Sequence, residues 1–294
     1  MALATHRLKD GTNSPPRLRL SHALWALIHL PRNGPEWSLA EKCRRVKEEG
    51  FEALECWLTP EGEKEVRDAL DHAGLRLALG HHPYTLDDTR QAVAQAKRLN
   101  ADYLIGQVGD AFLSDQEAAL LVRDCRALAA DEGVPLFVET HRGTVTESLA
   151  ATYRLLQAVP DLTFTADVSH YFVAGEFGGT DLEPHLSRLL PVLKRTSSIH
   201  GRVSNGEQVQ VDVGDGSGPL AQLFMCLWAE AMVCWLHEAE PGDILPFTPE
   251  LGPPGYAIVH PNGTGELSDR WKQSLVIKQL GQEAWARATR VVGS

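Results

Sequence analysis

The chain has 294 residues, a formal net charge of -11, 43% hydrophobic residues and 23% charged residues. This composition supports a sizeable buried core and excludes an intrinsically disordered chain. No cluster of Lys and Arg offsets the acidic balance, which argues against a nucleic-acid-binding protein and favours a small neutral or cationic partner such as a metal ion.

The cysteines and the N-terminal residues favour a cytoplasmic protein. The five cysteines are odd in number and no two form a C-x-x-C pair, which is typical of reduced thiols. Residues 1–16 contain no apolar core and are predicted to be a flexible leader, not a secretory signal. The apolar run 224–236 contains Glu230 and is too short to span a bilayer, so it predicts a core-facing helix and no membrane partner.

Eight β-rich runs alternate along the chain with eight stretches of helical periodicity. In chain order, each strand and the helix after it cover residues 17–23 and 37–50, 51–57 and 61–74, 75–82 and 85–100, 102–107 and 114–133, 135–140 and 144–160, 162–167 and 182–195, 196–201 and 219–239, and 243–250 and 270–289. Ser38 is a plausible N-cap of the first helix and Gly50 its C-terminal stop.

Sustained strand–helix alternation implies a parallel sheet with helical crossovers. An open doubly wound sheet is one solution. The chain has no glycine-rich phosphate turn after its first strand, however, and eight units favour a closed barrel. We therefore predict a single-domain (β/α)8 TIM barrel over residues 17–294.

Polar side chains stand where the predicted strands end, which is where TIM barrels carry their active sites. The segment "FVETHRGT" (137–144) raises the question, because it is either a charged surface turn or a strand that delivers ligands into a site. Other strands end in the same way, which favours a shared site. The candidates are Glu55, His81, His82, Gln107, Glu139, His141, Asp167, His170, His200, Arg202 and Glu250.

Four of these side chains suggest a divalent metal ion. Glu139, Asp167, His200 and Glu250 provide three carboxylates and one imidazole, and a cation would relieve the mutual repulsion of the carboxylates. Oxygen-rich ligation with a single nitrogen favours Mn²⁺ or Mg²⁺, with Co²⁺ as a further candidate. His170 follows Asp167 by three residues and is close enough to reach a substrate held at such an ion.

Four segments follow one another along the chain: "VETHRG", "ADVSH", "SSIHGRV" and "TPELGP". With these segments and its strand–helix order, the chain resembles the sugar isomerase/epimerase superfamily of xylose isomerase-like TIM barrels over about residues 17 to 290. The resemblance implies that the four residues named above bind one divalent cation. It also implies that Glu139 and Glu250 form the acid/base pair and that His170 and Arg202 contact substrate oxygens.

The sequence departs from two branches of that superfamily. The trinuclear zinc branch needs an Asp-x-His pair after strand seven, and the stretch 201–218 contains no histidine. The common His-x-Lys-Asp ending of strand seven is replaced by His200-Gly201-Arg202, which affects how the far end of a substrate is held.

Four further residues are candidates for substrate contact. Glu55 either binds substrate hydroxyls or caps a neighbouring helix. His82, together with His81, either lines the pocket, binds a second metal ion or forms a polar strand end with one ring in water. Gln107 stands at the rim. His141 either points into the rim or orients Glu139.

The leading hypothesis is a metal-dependent isomerase or epimerase that acts on a ketose or a related polyhydroxy carbonyl compound. The same site also suits a metal-dependent dehydratase or lyase, such as one that cleaves keto-sugar C-glycosides. A non-catalytic sugar-binding barrel is a third alternative. The expected partner is a small sugar or polyol, and a homo-oligomer is an open alternative to a monomer.

Overall fold

The computed structural model describes residues 7–263 and 265–293. Within these ranges the strands are β1 (Leu8–Lys9), β2 (Arg17–Ala23), β3 (Ala53–Cys56), β4 (Arg76–His81), β5 (Leu104–Gly106), β6 (Leu136–Glu139), β7 (Phe164–Ala166), β8 (Thr196–Gly201) and β9 (Asp243–Pro249). The helices are α1 (Leu39–Glu48), α2 (Glu63–Ala73), α3 (Leu86–Leu99), α4 (Asp115–Asp131), α5 (Leu149–Ala158), α6 (Ser169–Ala174), α7 (Leu182–Leu193), α8 (Pro219–Leu236) and α9 (Arg270–Val292). Residues 1–6 of the predicted leader, and Thr264 and Ser294 of the predicted barrel, lie outside the described residues.

Strands β2 to β9 form a closed parallel barrel. Each strand is hydrogen-bonded to the next one along the chain, and β9 also pairs in parallel with β2, which closes the sheet on itself. The prediction of a single-domain (β/α)8 TIM barrel is therefore confirmed, and the open doubly wound sheet is excluded.

The helices begin and end where the local sequence satisfies their free backbone groups. The hydroxyl of Ser38 accepts a hydrogen bond from the backbone N–H of Glu41 at 3.3 Å, which caps α1 as predicted. Gly50, with φ of 79°, follows the end of this helix in the left-handed conformation that favours glycine. These two residues set the length of the first crossover.

The prediction of a flexible leader is wrong for residues 8 and 9. They form β1, which pairs antiparallel with the start of β9 through Leu8 and Ile244. Leu8 is buried and belongs to an apolar cluster inside the barrel with Ala78, Tyr103, Ile105, Phe137 and Ile244. The strand pairing and this apolar contact hold Leu8 at the barrel.

The segment between β6 and α5 is a loop, although the sequence predicts a helix from residue 144. The Thr144 hydroxyl donates to the backbone carbonyl of His141 at 2.7 Å, and the Thr146 hydroxyl donates to that of Glu139 at 2.7 Å. Such local bonds compete with a helical backbone, so α5 starts only after its N-cap, Ser148. The short helix α6 is absent from the prediction.

Every second side chain of a barrel strand points inward. Phe137 belongs to the interior apolar cluster, and Glu139 follows it by two residues on β6. Ile244 belongs to the same cluster, and Glu250 follows it by six residues. The alternation therefore sends both glutamates into the barrel, above an apolar floor.

Helix α8 contains the apolar run 224–236. By length and composition it could cross a membrane, but 56% of it is buried inside the structure. Phe224, Leu227 and Trp228 belong to the main core cluster. These contacts agree with the prediction of a core-facing helix.

His22 on β2 predicts a loss of stability in acid. Burial lowers the pKa of His22 to about 4, whereas an exposed histidine in the unfolded chain has a pKa of about 6.5. The unfolded state binds more protons between these values, so stability falls as the pH drops through this window, by at most about 1.4 kcal/mol per pH unit for one histidine.

The check is the free energy of unfolding from urea titrations at several pH values between 4.5 and 7, for the natural chain and for His22→Gln. The substitution removes the hydrogen bond to Ser274 at every pH, which is a constant loss. The expected result is a shallower dependence on pH in the variant. Equal slopes would contradict the assignment to His22.

Candidate metal centre

Strand pairing brings the predicted polar residues together at the upper end of the barrel. Ala166 pairs with Ile199, so Asp167 and His200 each follow a paired residue by one position. Arg202 and Glu250 follow the pair of Gly201 with Pro249 in the same way. Glu139 is the last residue of β6, the neighbour of β7. Residues that are far apart in the chain therefore share one small volume inside the barrel.

The four predicted metal ligands form a buried cluster. One ligand atom each from Glu139, Asp167, His200 and Glu250 lies within 4.8 Å of every other. Nδ1 of His200 is 2.9 Å from Oε2 of Glu250 and 3.4 Å from Oε1 of Glu139. The four donor atoms are therefore close enough together to hold one ion.

Asp167 is fixed by its own neighbours so that one carboxylate oxygen remains available. Its backbone N–H donates to the hydroxyl of Thr140 at 2.8 Å, and its Oδ1 accepts from the backbone N–H of Ser169 at 3.0 Å. Its Oδ2 has no hydrogen-bond partner among the described residues. That oxygen lies 3.6 Å from Nε2 of His170 and 3.2 Å from Nε of Arg202.

The donor set fits a divalent cation. Oε1 of Glu139, Oδ2 of Asp167 and Nδ1 of His200 are buried, and in the described part of the chain none makes a hydrogen bond of acceptable geometry despite the short distances to charged neighbours. Buried polar atoms without partners are costly, and a cation at this position would satisfy all three. Three carboxylate groups and one imidazole are the ligands of a hard divalent ion such as Mg²⁺ or Mn²⁺.

Strong electrostatic coupling links the buried groups. Burial disfavours the imidazolium of His200, but the attraction of Glu250, Glu55 and Glu139 outweighs it, so the pKa of His200 lies well above its ordinary value. Burial also opposes ionisation of Glu250, yet His200 and Arg202 prevail and hold its pKa far below the usual range. Positive charge close to these carboxylates therefore stabilises their ionised forms.

Asp167 responds in the opposite direction. Burial, reinforced by the charge of Glu250, raises the pKa of Asp167, although Arg202 and His200 act to lower it. Arg202 is itself buried, and its carboxylate neighbours raise the pKa of its guanidinium despite the burial. Desolvation and the crowding of like charges therefore exceed what one arginine can balance at this carboxylate.

Glu55 contacts His200 and does not line the cavity described below. The sequence predicts a substrate contact or a helix cap for this residue, and the structure places it beside the imidazole of the cluster instead. Because β3 ends at Cys56, Glu55 is inside the strand, 3% exposed, and its Oε2 is 3.0 Å from Nε2 of His200. Glu55 therefore contacts Nε2 of the imidazole, whereas Glu139 and Glu250 contact Nδ1.

Of two other residues predicted to contact the substrate, Gln107 lies at the cluster and His82 lies away from it. Gln107 donates from Nε2 to Oε2 of Glu139 at 3.0 Å and lines the cavity above the cluster. The structure does not bring His82 to the cluster, because its exposed ring stacks on Tyr84 with ring centroids 4.5 Å apart. Its Nε2 lies 3.1 Å from the backbone carbonyl of Gly109.

His170 and His141 form a pair beside the cluster, with ring centroids 4.1 Å apart. His170 is fully buried, and neither of its ring nitrogens has a partner among the described residues. Burial, with the nearby charges of His141 and Arg202, lowers the pKa of His170 well below its ordinary value, so the ring is neutral. It is available as an uncharged donor or acceptor.

Glu139, His141 and His170 also lie close enough to hold an ion. Both nitrogens of His141 are occupied, however. Nδ1 lies 2.6 Å from the backbone carbonyl of Arg142, and Nε2 lies 3.2 Å from the hydroxyl of Tyr256. The cluster around His200 is therefore the better cation site.

A cavity of about 250 Å³ opens above the cluster, lined by Trp25, Trp57, Gln107, His141, Arg202, Glu250 and Tyr256. The volume lies below the range of about 300–1,000 Å³ that is usual for drug-sized ligands, which suits a small substrate. Two glycines make room for its walls. An added Cβ at Gly252 would come within 2.3 Å of Trp25, and one at Gly80 would come within 2.2 Å of Trp57.

Tyr256 is a site residue that the sequence analysis missed. Its ring lies 4.8 Å from the guanidinium carbon of Arg202 and packs edge-on against Trp25 at 5.1 Å. Its only sequence signal is the glycine- and proline-rich turn "LGPPGY" directly after Glu250. This turn carries the tyrosine back over the cavity.

Solved structures share the fold at low sequence identity. D-allulose 3-epimerase from Methylomonas sp. is 16% identical, with a TM-score of 0.57, and the alignment covers 94% of this chain and 99% of that one. A xylose isomerase-like TIM barrel protein from Mycobacterium smegmatis, in complex with magnesium, is 14% identical, with a TM-score of 0.55 and coverage of 94% and 98%. The probable 3-DHS dehydratase AsbF from Bacillus anthracis is 15% identical, with a TM-score of 0.51 and coverage of 89% and 97%.

No curated protein matches the chain at a significant level. Residues 43–201 match the family described as xylose isomerase-like TIM barrel. This match spans more than half of the chain, and the chain belongs to that family.

Proposed function

We propose that the protein is a divalent-metal-dependent isomerase or epimerase of a ketose or a related polyhydroxy carbonyl compound. The observation that carries the proposal is the approach of Glu139 and Glu250 to the same nitrogen of His200, at 3.4 and 2.9 Å, directly below a small cavity. A binding protein gains nothing from two opposed glutamates, whereas a proton-transfer enzyme needs two groups that exchange protons.

Glu139, Asp167, His200 and Glu250 would hold the ion, with Mn²⁺ or Mg²⁺ favoured and Co²⁺ as a further candidate. When bound, a divalent cation supplies Lewis-acid polarisation of a carbonyl and its adjacent hydroxyl, which eases removal of the proton between them. The magnesium in the Mycobacterium smegmatis relative is consistent with this proposal.

The two glutamates would then move the proton. Gln107 donates to Oε2 of Glu139 and would fix the orientation of the carboxylate that takes a proton from the substrate carbon. Glu250 would return a proton from the opposite face, and its contact with Arg202 steadies its ionised form. Removal of a proton from one face of the carbon and return of a proton to the other face would invert that stereocentre.

His170 and Arg202 would orient the substrate oxygens. The neutral imidazole of His170 accepts or donates a hydrogen bond without adding charge, and Arg202 has Nη1 hydrogens without a partner among the described residues. Trp25, Trp57 and Tyr256 would provide flat apolar walls for the face of a sugar ring. The D-allulose 3-epimerase among the structural relatives agrees with this substrate class.

Elimination is the second candidate reaction, because the site contains a hydrogen-bonding group besides the two glutamates. One glutamate would remove the proton and the other would protonate the leaving group, while the neutral ring of His170, which keeps one N–H, lies 3.6 Å from Asp167 at the edge of the cluster and would hydrogen-bond the departing oxygen. A dehydratase or lyase would use the same cluster. The probable dehydratase among the relatives shares the fold.

Incubation of the Mn²⁺-loaded protein with a panel of ketoses and keto-glycosides, followed by mass spectrometry and chromatography, separates these reactions. Isomerisation leaves the mass unchanged and creates a new chromatographic species, whereas elimination lowers the mass. We expect the first outcome. Products of lower mass throughout would favour the dehydratase.

Replacement of either glutamate by glutamine tests the two-base mechanism. An amide cannot accept and return a proton, so Glu139→Gln and Glu250→Gln should each slow turnover by about 10²- to 10⁴-fold. In deuterated water, one variant should still exchange deuterium into one epimer without turnover, and the other variant into the opposite epimer. The surface substitution Glu65→Gln is the control. Turnover at the parent rate by both metal-loaded variants would disprove the mechanism.

Metal removal should destabilise the protein. An ion that binds only the folded state at about 100 times its dissociation constant contributes about 2.7 kcal/mol. Treatment with EDTA should therefore lower the melting temperature by roughly 5–10 °C, and Mn²⁺ or Mg²⁺ should restore it. Calorimetry with and without each ion measures the shift. Unchanged melting, together with full activity after chelation, would remove the metal from the proposal.

Asp167→Asn should weaken metal binding more than His170→Ala does. Asp167 provides a charged ligand atom, whereas His170 lies beside the cluster and is neutral. Titration of both variants with Mn²⁺, followed by electron paramagnetic resonance of the free ion, gives the order. Equal losses would make His170 a ligand in its own right.

A further inference from the structure

Glu55 has a set of contacts that its predicted roles do not explain. Its Oε1 accepts hydrogen bonds from the hydroxyls of Tyr103 at 2.8 Å and Thr248 at 2.6 Å. Its Oε2 is 3.0 Å from Nε2 of His200. A carboxylate buried inside a barrel, with each oxygen committed to a specific donor, is a built arrangement and not a solvated strand end.

We propose that Glu55 is a positioning residue that holds the proton of His200 on Nε2 and so presents the Nδ1 lone pair to the cation. This inference rests on the proposed metal-dependent function. It assigns to Glu55 an action through His200 and no contact with the substrate.

The tautomer decides whether His200 can act as a ligand. A neutral imidazole carries one N–H and one lone pair. Glu139 and Glu250 face Nδ1, so only the tautomer with the proton on Nε2 directs a lone pair into the cluster. A cation at Nδ1 would take the place of any proton there, and Glu55, a carboxylate that accepts hydrogen bonds and donates none, would keep the remaining proton on Nε2.

Glu55 can perform this role because its other oxygen is held. Thr248 pairs in register with His200 on the adjacent strand, which places its hydroxyl beside the carboxylate. Tyr103 packs against Phe137 with ring centroids 5.3 Å apart. Burial raises the pKa of Tyr103 well above its ordinary value, so its hydroxyl remains a donor. The two donors fix Oε1 and aim Oε2 at the imidazole.

Carboxylate partners of metal-bound histidines fix ring orientation and raise ligand basicity, and their loss typically costs about 10- to 100-fold in metal affinity. Glu55→Gln is the sharpest substitution, because it keeps the shape. Tyr103 and Thr248 would draw the amide oxygen, which turns the NH₂ group toward Nε2. The imidazole would then have to accept on Nε2 and carry its proton on Nδ1, where the cation should bind.

The experiment measures Mn²⁺ affinity of the folded protein by isothermal titration calorimetry, well below the melting temperature. The natural chain is compared with Glu55→Gln and with Ser274→Ala, a matched control that removes a buried hydrogen bond to His22 outside the barrel. We expect a loss of about 10- to 100-fold for Glu55→Gln. The control should retain the natural affinity although it lowers the melting temperature.

Nitrogen-15 NMR of the Mg²⁺-loaded natural chain, labelled at histidine, reads the tautomer in the unsubstituted protein, and a variant is used only to assign the signal. The His200 signal is assigned by its absence in His200→Asn. A protonated Nε2 supports the proposal, and a protonated Nδ1 overturns it.

The outcomes separate the two proposals. If the natural chain binds no divalent metal, the proposed function fails and the role of Glu55 fails with it. If the natural chain binds metal but Glu55→Gln binds it equally well, the proposed function stands and the positioning role is wrong. Equal losses in Glu55→Gln and Ser274→Ala would also overturn the positioning role, because they would reduce it to general stability.

Discussion

The upper half of the barrel is organised by the need to compensate buried carboxylates. Glu139, Asp167 and Glu250 converge within 4.8 Å of His200, in an interior where charge is poorly solvated. Arg202 supplies positive charge at Asp167 and Glu250, yet the pKa of Asp167 still rises. A sequence that places so many acids together either loses stability or binds a cation, and the unpartnered ligand atoms favour the cation.

The closed sheet is what makes this crowding possible. A parallel barrel fixes the height of each strand relative to its neighbours, so single residues from four strands meet at one level. The apolar cluster below, which includes Leu8 from the antiparallel strand β1, seals the floor. With water excluded from beneath, the carboxylates interact through a medium of low polarity, and each added charge has a larger effect.

The sequence predicted the parts of the site that follow from strand ends and period-two alternation. Glu139, Asp167, His200 and Glu250 stand at the strand ends, where both rules agree. The contact of Glu55 with His200 could not be predicted, because contacts across the barrel interior leave no mark in the sequence of one strand. His82 and Tyr256 depend on the path of loops, and β1 depends on a two-residue pairing that is too short to show a period.

Different elements carry the two halves of the proposed site. The ligand atoms belong to strands or to residues directly after them, where backbone hydrogen bonds on both sides restrict movement. The cavity walls come from Trp25, Trp57 and Tyr256, which lie on the segments that follow β2, β3 and β9. Loops tolerate substitution more readily than barrel strands do. On the proposed function, the position of the cation would therefore be constrained by the fold itself, whereas the aromatic side chains that would contact the substrate lie on segments that change more readily.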